Sequence, residues 1–214
     1  MATDHRRHSP PMQPGHLRLI PVSEQPIVSW KNGGGTTREV AVDRHESGGG
    51  FRWRISVAEV RSDGPFSAFP SIDRTIWLLR GAGMVLSVAG EEHRLDARLA
   101  PFRFDGAAAV EARLIDGPTE DLNVMVERDS TEATSRVLTM AQGSDLPLRS
   151  RGPSTGVLLV LTGSVKVEAP AAAHRLVEGD AVLVVGDVDA HVTALDRART
   201  DLLWCSFAPV GETG

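Results

Sequence analysis

From Leu17 onward the chain alternates short apolar runs with clusters of Gly, Pro, Asp and Ser. Runs rich in Val, Ile, Leu, Thr and Trp, bounded by such turn formers, predict strands. They are expected at 17–22, 36–42, 51–60, 72–79, 84–89, 110–115, 121–127 and 136–140, then at 157–161, 165–168, 181–185, 191–195 and 202–208. No stretch keeps a helical spacing of apolar residues between caps for as long as a helix needs. Many short strands with regular turn signals predict an all-β barrel or sandwich.

An internal repeat sharpens this. Ile76-Trp77-Leu78-Leu79-Arg80-Gly81 leads through a glycine turn into Met84-Val85-Leu86, and Leu158-Leu159-Val160-Leu161-Thr162-Gly163 leads into Val165-Lys166-Val167. His93-Arg94-Leu95 is echoed by His174-Arg175-Leu176. Each half then turns into a further strand, at Pro101–Gly106 and at Gly179–Val184. That order is how a cupin half reads. Two halves predict a bicupin, with two antiparallel jelly-roll-type β-barrels packed together. The boundary is expected at the polar stretch Glu127-Arg128-Asp129-Ser130-Thr131-Glu132, giving an N-terminal barrel over 17–130 and a C-terminal barrel over 131–214. Gln142–Ser154, with its prolines and glycines, reads as a loose segment opening the second half. Residues 1–16 carry Arg6, Arg7 and several prolines but no apolar core of a signal peptide, and read as a disordered leader.

Composition narrows the function classes. A net charge of −5 and a pI near 5.8 argue against a broad electrostatic surface for nucleic acid or acidic lipid. Cys205 is the single cysteine and lies in the apolar run Leu202-Leu203-Trp204-Cys205, so it reads as a buried inert thiol. The lack of cystine pairs suits a reducing compartment, and no apolar run is long enough to span a bilayer, so a cytoplasmic protein is expected.

Ser29-Trp30-Lys31-Asn32-Gly33-Gly34-Gly35-Thr36-Thr37 combines an aromatic ring, an ammonium, a carboxamide, adjacent glycines and hydroxyls. No packing rule asks for that mixture. Adjacent glycines permit positive φ and leave N–H groups uncovered, and Lys31 and Asn32 beside such a bend could hold an anion. A surface turn is the competing reading. Strand alternation supplies further candidates. Arg74 shares a face with Ile72, Ile76 and Leu78, so it must be paired inside a barrel, by a protein carboxylate or by a ligand's. Arg54 and Ser56 share a face opposite Trp53, Ile55 and Val57. Asn123 shares a face with Met125. Phe66 or Phe69, in the turn-rich link after Asp63, could wall a pocket. The histidines form no His-x-His pair, so no catalytic metal and no other cofactor is expected. There is no nucleophile elbow or P-loop.

In unbroken order over about residues 17–128, the chain resembles the HutD/Ves family. The matching pieces are Trp30-Lys31-Asn32-Gly33-Gly34-Gly35-Thr36-Thr37-Arg38-Glu39, Trp53-Arg54-Ile55-Ser56, Asp63-Gly64-Pro65-Phe66-Ser67, Phe69-Pro70-Ser71-Ile72-Asp73-Arg74, Leu79-Arg80-Gly81-Ala82-Gly83-Met84, Leu114-Ile115-Asp116-Gly117-Pro118 and Asp121-Leu122-Asn123-Val124-Met125. From about Asp129 on the match is loose. The resemblance implies a bicupin linked to histidine utilisation that binds a pathway intermediate such as N-formylglutamate or urocanate and limits pathway activity. It implies a pocket using Trp30, Lys31, Asn32, Arg54, Ser56, Arg74 and Asn123. The second half lacks a comparable charged cluster, so it is expected to be structural. The leading expectation is a binding protein for a small carboxylate rather than an enzyme, with Arg74 as the main anchor. A metal-free isomerase or an amide or formyl hydrolase is the alternative, and a ligand-free interaction module is the third. Pairing of two copies is left open.

Overall fold

The computed structural model describes residues 15–46, 48–170 and 172–211, so the expected leader over 1–16 lies almost wholly outside the described residues. The first half contains β1 (His16–Ile20), β2 (Ile27–Ser29), β3 (Gly35–Arg44), β4 (Phe51–Val60), β5 (Gly64–Pro65), β6 (Ile72–Arg80), β7 (Met84–Val88), β8 (Glu91–Leu95), β9 (Pro101–Asp105), β10 (Val110–Leu114) and β11 (Thr119–Glu127). The second contains β12 (Thr131–Met140), β13 (Asp145–Ser150), β14 (Thr155–Thr162), β15 (Ser164–Ala169), β16 (Ala172–Val177), β17 (Ala181–Val185), β18 (Val188–Ala194) and β19 (Thr200–Pro209). The helical content among the described residues is one 3₁₀ turn, Val22–Glu24.

Each barrel is two antiparallel sheets packed face to face. The first joins a six-stranded sheet (β2-β3-β4-β11-β6-β9) to a four-stranded one (β5-β10-β7-β8). The second joins a five-stranded sheet (β1-β17-β14-β19-β12) to a four-stranded one (β13-β18-β15-β16). The repeat is visible where the chain passes from each large sheet to its small one: the β6–β7 connection turns at Gly81 and the β14–β15 connection at Gly163, both with positive φ (91° and 82°) that glycine adopts without steric cost. The molecule is a bicupin.

Three apolar layers hold the four sheets. Met84, Leu86, Val110 and Ala112 of the small sheet meet Val60, Ile76 and Leu78 inside the first barrel. Val165, Val167 and Leu176 meet Leu158, Val182 and Leu202 inside the second. Between the barrels, Trp53, Ile55, Val57, Trp77, Leu122 and Val124 pack against Val157, Leu159, Leu203, Cys205 and Phe207. The two large sheets are therefore buried on both faces, which is why their central strands read as almost continuous apolar runs.

Two expectations about the chain's course need correction. The sequence places Leu17–Val22 in the first barrel, but β1 pairs with β17 and extends the sheet of the second. Its Leu17 and Leu19 pack on the second barrel's core, whereas Ile20 joins the inter-barrel layer. The start of the chain thus straps one barrel to the other. Gln142–Ser154 is not loose throughout, because β13 lies within it and pairs with β18. β13 is an edge strand, a position where a proline such as Pro147 is tolerated in a sheet. Cys205 is fully buried, and burial raises its thiol pKa well above the ordinary range.

Candidate functional site

Register across the six-stranded sheet builds the site. Met125 of β11 lies opposite Arg54 of β4 and Arg74 of β6, and Arg74 lies opposite Phe104 of β9. One pleat on, Asn123 lies between Ser56 and Ile76, with Glu39 of β3 beyond Ser56. A further pleat puts Asp121 between Ala58 and Leu78, with Thr37 beyond Ala58. All of these residues face the inside of the first barrel, because alternate residues of one strand share a face. Their partners on the other face are the apolar residues of the inter-barrel layer.

The interior is hollow at the end where Arg54 and Arg74 lie. A cavity of about 780 Å³ opens there, lined by Trp30, Lys31, Asn32, Arg54, Ser56, Phe66, Arg74 and Asn123. These are the eight positions singled out in the sequence, drawn from five separate segments of the chain. Thr37, Glu39, Arg44, Phe69 and Met125 complete the polar and apolar wall. Strand parity could have marked Thr37 and Glu39, since they alternate on β3. Nothing in the local sequence brings Arg44 to the cavity.

Arg74 is 6% exposed and sits at the cavity's inner end. Its Nη2 donates to Asn123 Oδ1 at 2.6 Å, and Nη1 makes a long contact (3.4 Å) to the Ser67 carbonyl. Nε is buried and has no partner among the described residues. The rings of Phe66, Phe69 and Phe104 surround the guanidinium, their centroids 5.3, 5.7 and 4.9 Å from its central carbon. Aromatic faces attract a cation but accept no conventional hydrogen bond, so donor capacity is left over. Burial lowers the pKa of Arg74 to about 10, with Asp121 opposing the shift and Arg54 adding to it. The guanidinium remains charged at neutral pH. Among the described residues no carboxylate bonds it directly; Asp121 is reached through the Asn123 carboxamide.

Arg54 has the opposite arrangement. Its Nε is 3.1 Å from Glu39 Oε2, too poorly aligned for a hydrogen bond, and Arg44 Nη2 donates to both Glu39 oxygens at 2.8 and 3.0 Å. Glu39 is thus shared by two arginines. The cavity wall carries Lys31, Arg44, Arg54 and Arg74 against one carboxylate, Glu39. That charge excess suits an anion.

The glycine stretch is both a turn and a wall. Gly33 takes φ of 72°, its N–H donates to the Trp30 carbonyl, and Asn32 Oδ1 accepts from the Gly34 N–H at 3.0 Å. Trp30 Nε1–H donates to Thr37 Oγ1 at 2.8 Å, which fixes the indole against the opening. Asn32 and Trp30 therefore spend polar atoms on the loop itself, whereas Lys31 is exposed at the rim. Gly35 is required by space: a Cβ there would lie 2.2 Å from the Glu59 carbonyl oxygen and 3.1 Å from the Trp30 ring. Gly35→Ala should destabilise the protein by about 1–3 kcal/mol through this clash. Chemical denaturation checks it, and an unchanged midpoint would contradict the packing described.

The second barrel is filled where the first is hollow. Gly156, 82 residues beyond Arg74 as Gly163 is beyond Gly81, occupies the equivalent place on β14. A Cβ on Gly156 would lie 2.2 Å from the Trp204 ring. Trp204 faces Leu158 as Asn123 faces Ile76, so an indole plugs the space that Arg74 and Asn123 line in the first barrel.

Between the barrels, a second cavity of about 500 Å³ is lined by Arg38, Arg80, Arg98 and Arg199 together with Glu120, Glu178 and Asp201. Here the cations have protein partners. Arg98 and Arg199 both bond the buried Asp201 (3.0 and 2.7 Å), Arg80 bonds Glu120 and Glu178, and Arg38 bonds Gln25. The Arg98–Asp201 and Arg80–Glu178 pairs tie one half to the other.

Comparison with known proteins places this architecture. The HutD family model matches residues 22–202. The chain belongs to the HutD family. Among HutD relatives, a 21.2 kDa protein in the hutC 3' region of Pseudomonas putida is 38% identical over 109 residues, covering 51% of this chain and 57% of that protein. Protein Ves of Citrobacter koseri is 33% identical over 149 residues, covering 69% and 74%. The structure of HutD from Pseudomonas fluorescens SBW25, in a formate condition, superposes with a TM-score of 0.75 at 30% identity, covering 92% of this chain and all of that one. The HutD match extends past Asp129, where the local motifs fade, into the second barrel.

Among the described residues no helix is long and apolar enough to cross a membrane, and no three His, Cys, Asp or Glu side chains gather as metal ligands.

Proposed function

We propose that this protein binds a small carboxylate metabolite in the first-barrel cavity and acts through the liganded state as a sensor or brake of histidine utilisation. One observation carries the reading: a buried, charged guanidinium with an unpartnered Nε, opening on a cavity rich in cations. A buried cation left without a counter-ion is costly, and an incoming carboxylate relieves that cost with bidentate geometry. The names of the relatives, HutD and a hutC-region protein, support the pathway, and the formate condition of the P. fluorescens structure is consistent with a carboxyl or formyl group. A compound like N-formylglutamate or urocanate fits in size and charge, with Lys31 and Arg54 available to a second polar group. For the alternative, a metal-free hydrolase or isomerase, the cavity would have to supply a base. Its one carboxylate, Glu39, is held by two arginines, so binding without turnover is favoured.

Calorimetric titration of formate, glutamate, N-formyl-L-glutamate and urocanate tests this. Saturable 1:1 binding in the micromolar to low-millimolar range is expected for at least one, with the compound recovered unchanged by NMR. No binding by any of the four would sink the proposal, and chemical conversion would favour the enzyme.

A further inference from the structure

The Arg74 site stands on a buried carboxylate that its direct contacts do not explain. Asp121 is fully buried. Its Oδ1 accepts from Asn123 Nδ2, and Oδ2 has no partner among the described residues. Arg74 can only donate and an ionised Asp121 can only accept, whereas the Asn123 carboxamide has one end of each kind. One orientation of that amide satisfies both neighbours, and it is the one observed: oxygen toward Arg74, nitrogen toward Asp121.

We infer that Asp121 is the positioning residue of this site: it sets the Asn123 carboxamide to hold Arg74, and it takes up a proton when an anion occupies the cavity. This rests on the reading of Arg74 as a carboxylate anchor. The coupling is electrostatic. Among the described residues Arg74 is the cation that stabilises the Asp121 charge across Asn123. A ligand carboxylate on the same guanidinium adds a like charge nearby, which disfavours a second anion in a region sheltered from water. A proton from solvent then neutralises Asp121 as the Asp121 carboxylic acid, whose carbonyl oxygen still accepts from Asn123.

The charged groups around Asp121 are few. β6 contributes Arg74, β4 Arg54 and β3 Glu39, and Glu120 precedes it on its own strand. Its strand neighbours across the ladder are Ala58 and Leu78. The facing small sheet offers Met84, Leu86, Leu95, Val110 and Ala112, with His93 of β8 on the same face as Leu95 and its ring packed on Phe102, and the 65–67 link offers Pro65, Phe66 and Ser67. Burial pushes the Asp121 pKa up to about 7, with Arg74 opposing and Glu120 adding. The proton therefore exchanges in an accessible range.

Titration of N-formyl-L-glutamate and formate between pH 6 and 9, each in HEPES and in Tris, reads proton uptake from the buffer dependence of the heat. For the wild type, net uptake of a fraction of a proton is expected above pH 7, with affinity falling by up to about tenfold per pH unit. Asp121→Asn keeps an acceptor without the charge; it should bind with no proton uptake and a flat pH profile. Asp121→Leu removes the acceptor, frees the Asn123 amide, and should weaken binding at every pH. Binding by the wild type with no buffer dependence, or an Asp121→Asn profile with the wild-type slope, overturns the inference and leaves the Arg74 reading intact. No binding of either probe at any pH overturns the inference, and overturns the Arg74 reading as well if glutamate and urocanate also fail to bind. The wild-type buffer dependence alone decides the matter if either variant fails to fold.

Discussion

Trp53→Ala is expected to cost about 3–5 kcal/mol of stability, the range for deleting a large buried aromatic. Trp53 is almost fully buried and stacks on Phe207 with ring centroids 4.3 Å apart and planes 7° from parallel. The two rings come from different halves, β4 and β19, and sit in the apolar layer that both barrels share. Neither large sheet has a solvated face to fall back on. The wild type should therefore unfold in one transition followed alike by tryptophan fluorescence and far-ultraviolet circular dichroism. The variant should keep one transition at a lower denaturant concentration. Two separated transitions, or a loss below about 1 kcal/mol, would mean that the barrels are stable alone and the shared layer is incidental.

Arg74→Met should separate binding from folding. Removing a charge-assisted contact worth about 1.5–3 kcal/mol weakens carboxylate binding by about 10–150-fold. Stability should not fall with it. The guanidinium is buried among Phe66, Phe69 and Phe104 without a directly bound carboxylate, and replacing such a charge by an apolar chain of similar volume is often neutral or stabilising. Asp121 would lose its cation, but burial already holds its pKa near neutrality, so it can remain as the neutral acid. Calorimetry and denaturant melts on the same preparation give both numbers. A variant that binds like the wild type would remove Arg74 from the site.

The proton on Asp121 has a sign that stability measurements can read. Its pKa is raised on folding, so the folded state holds the proton to higher pH than the unfolded chain does. Its contribution is most favourable below the unfolded carboxylate pKa and is lost as pH rises through about 7. Glu59, Glu127 and Asp201 are lowered on folding, Glu59 by Arg61, Glu127 chiefly by Ser130 and Asp201 chiefly by Arg199, and so act the other way. The comparison to make is therefore wild type against Asp121→Asn. The wild type should lose stability relative to the variant between about pH 4 and 7, and a constant difference would show that Asp121 ionises as an ordinary carboxylate.

Much of this was legible residue by residue. Alternation put Arg54, Ser56, Arg74 and Asn123 on the faces that turn out to line the cavity, because a strand leaves its side chains no other choice. The same alternation marks Asp121 as sharing the face of Asn123. Its burial is not legible locally, because an acid at the start of a strand ordinarily meets solvent, and burial there comes from the opposite sheet. Arg74 was expected to meet a carboxylate directly, from the protein or from a ligand. Its protein contact is the Asn123 oxygen, which no local pattern announces.

Turn chemistry and apolar periodicity, both properties of neighbouring residues, were enough to dictate an all-β chain, a repeated strand–turn–strand unit and the facing of each strand residue. Three things depended on contacts between distant segments. β1 crossed to the other barrel because β17 offered it an open edge and a core for Leu17 and Leu19. The second barrel closed because Trp204 filled the space above Gly156. The first stayed open around a cation because register set Arg74 beside Asn123, with Asp121 beneath, and only assembled sheets have a register.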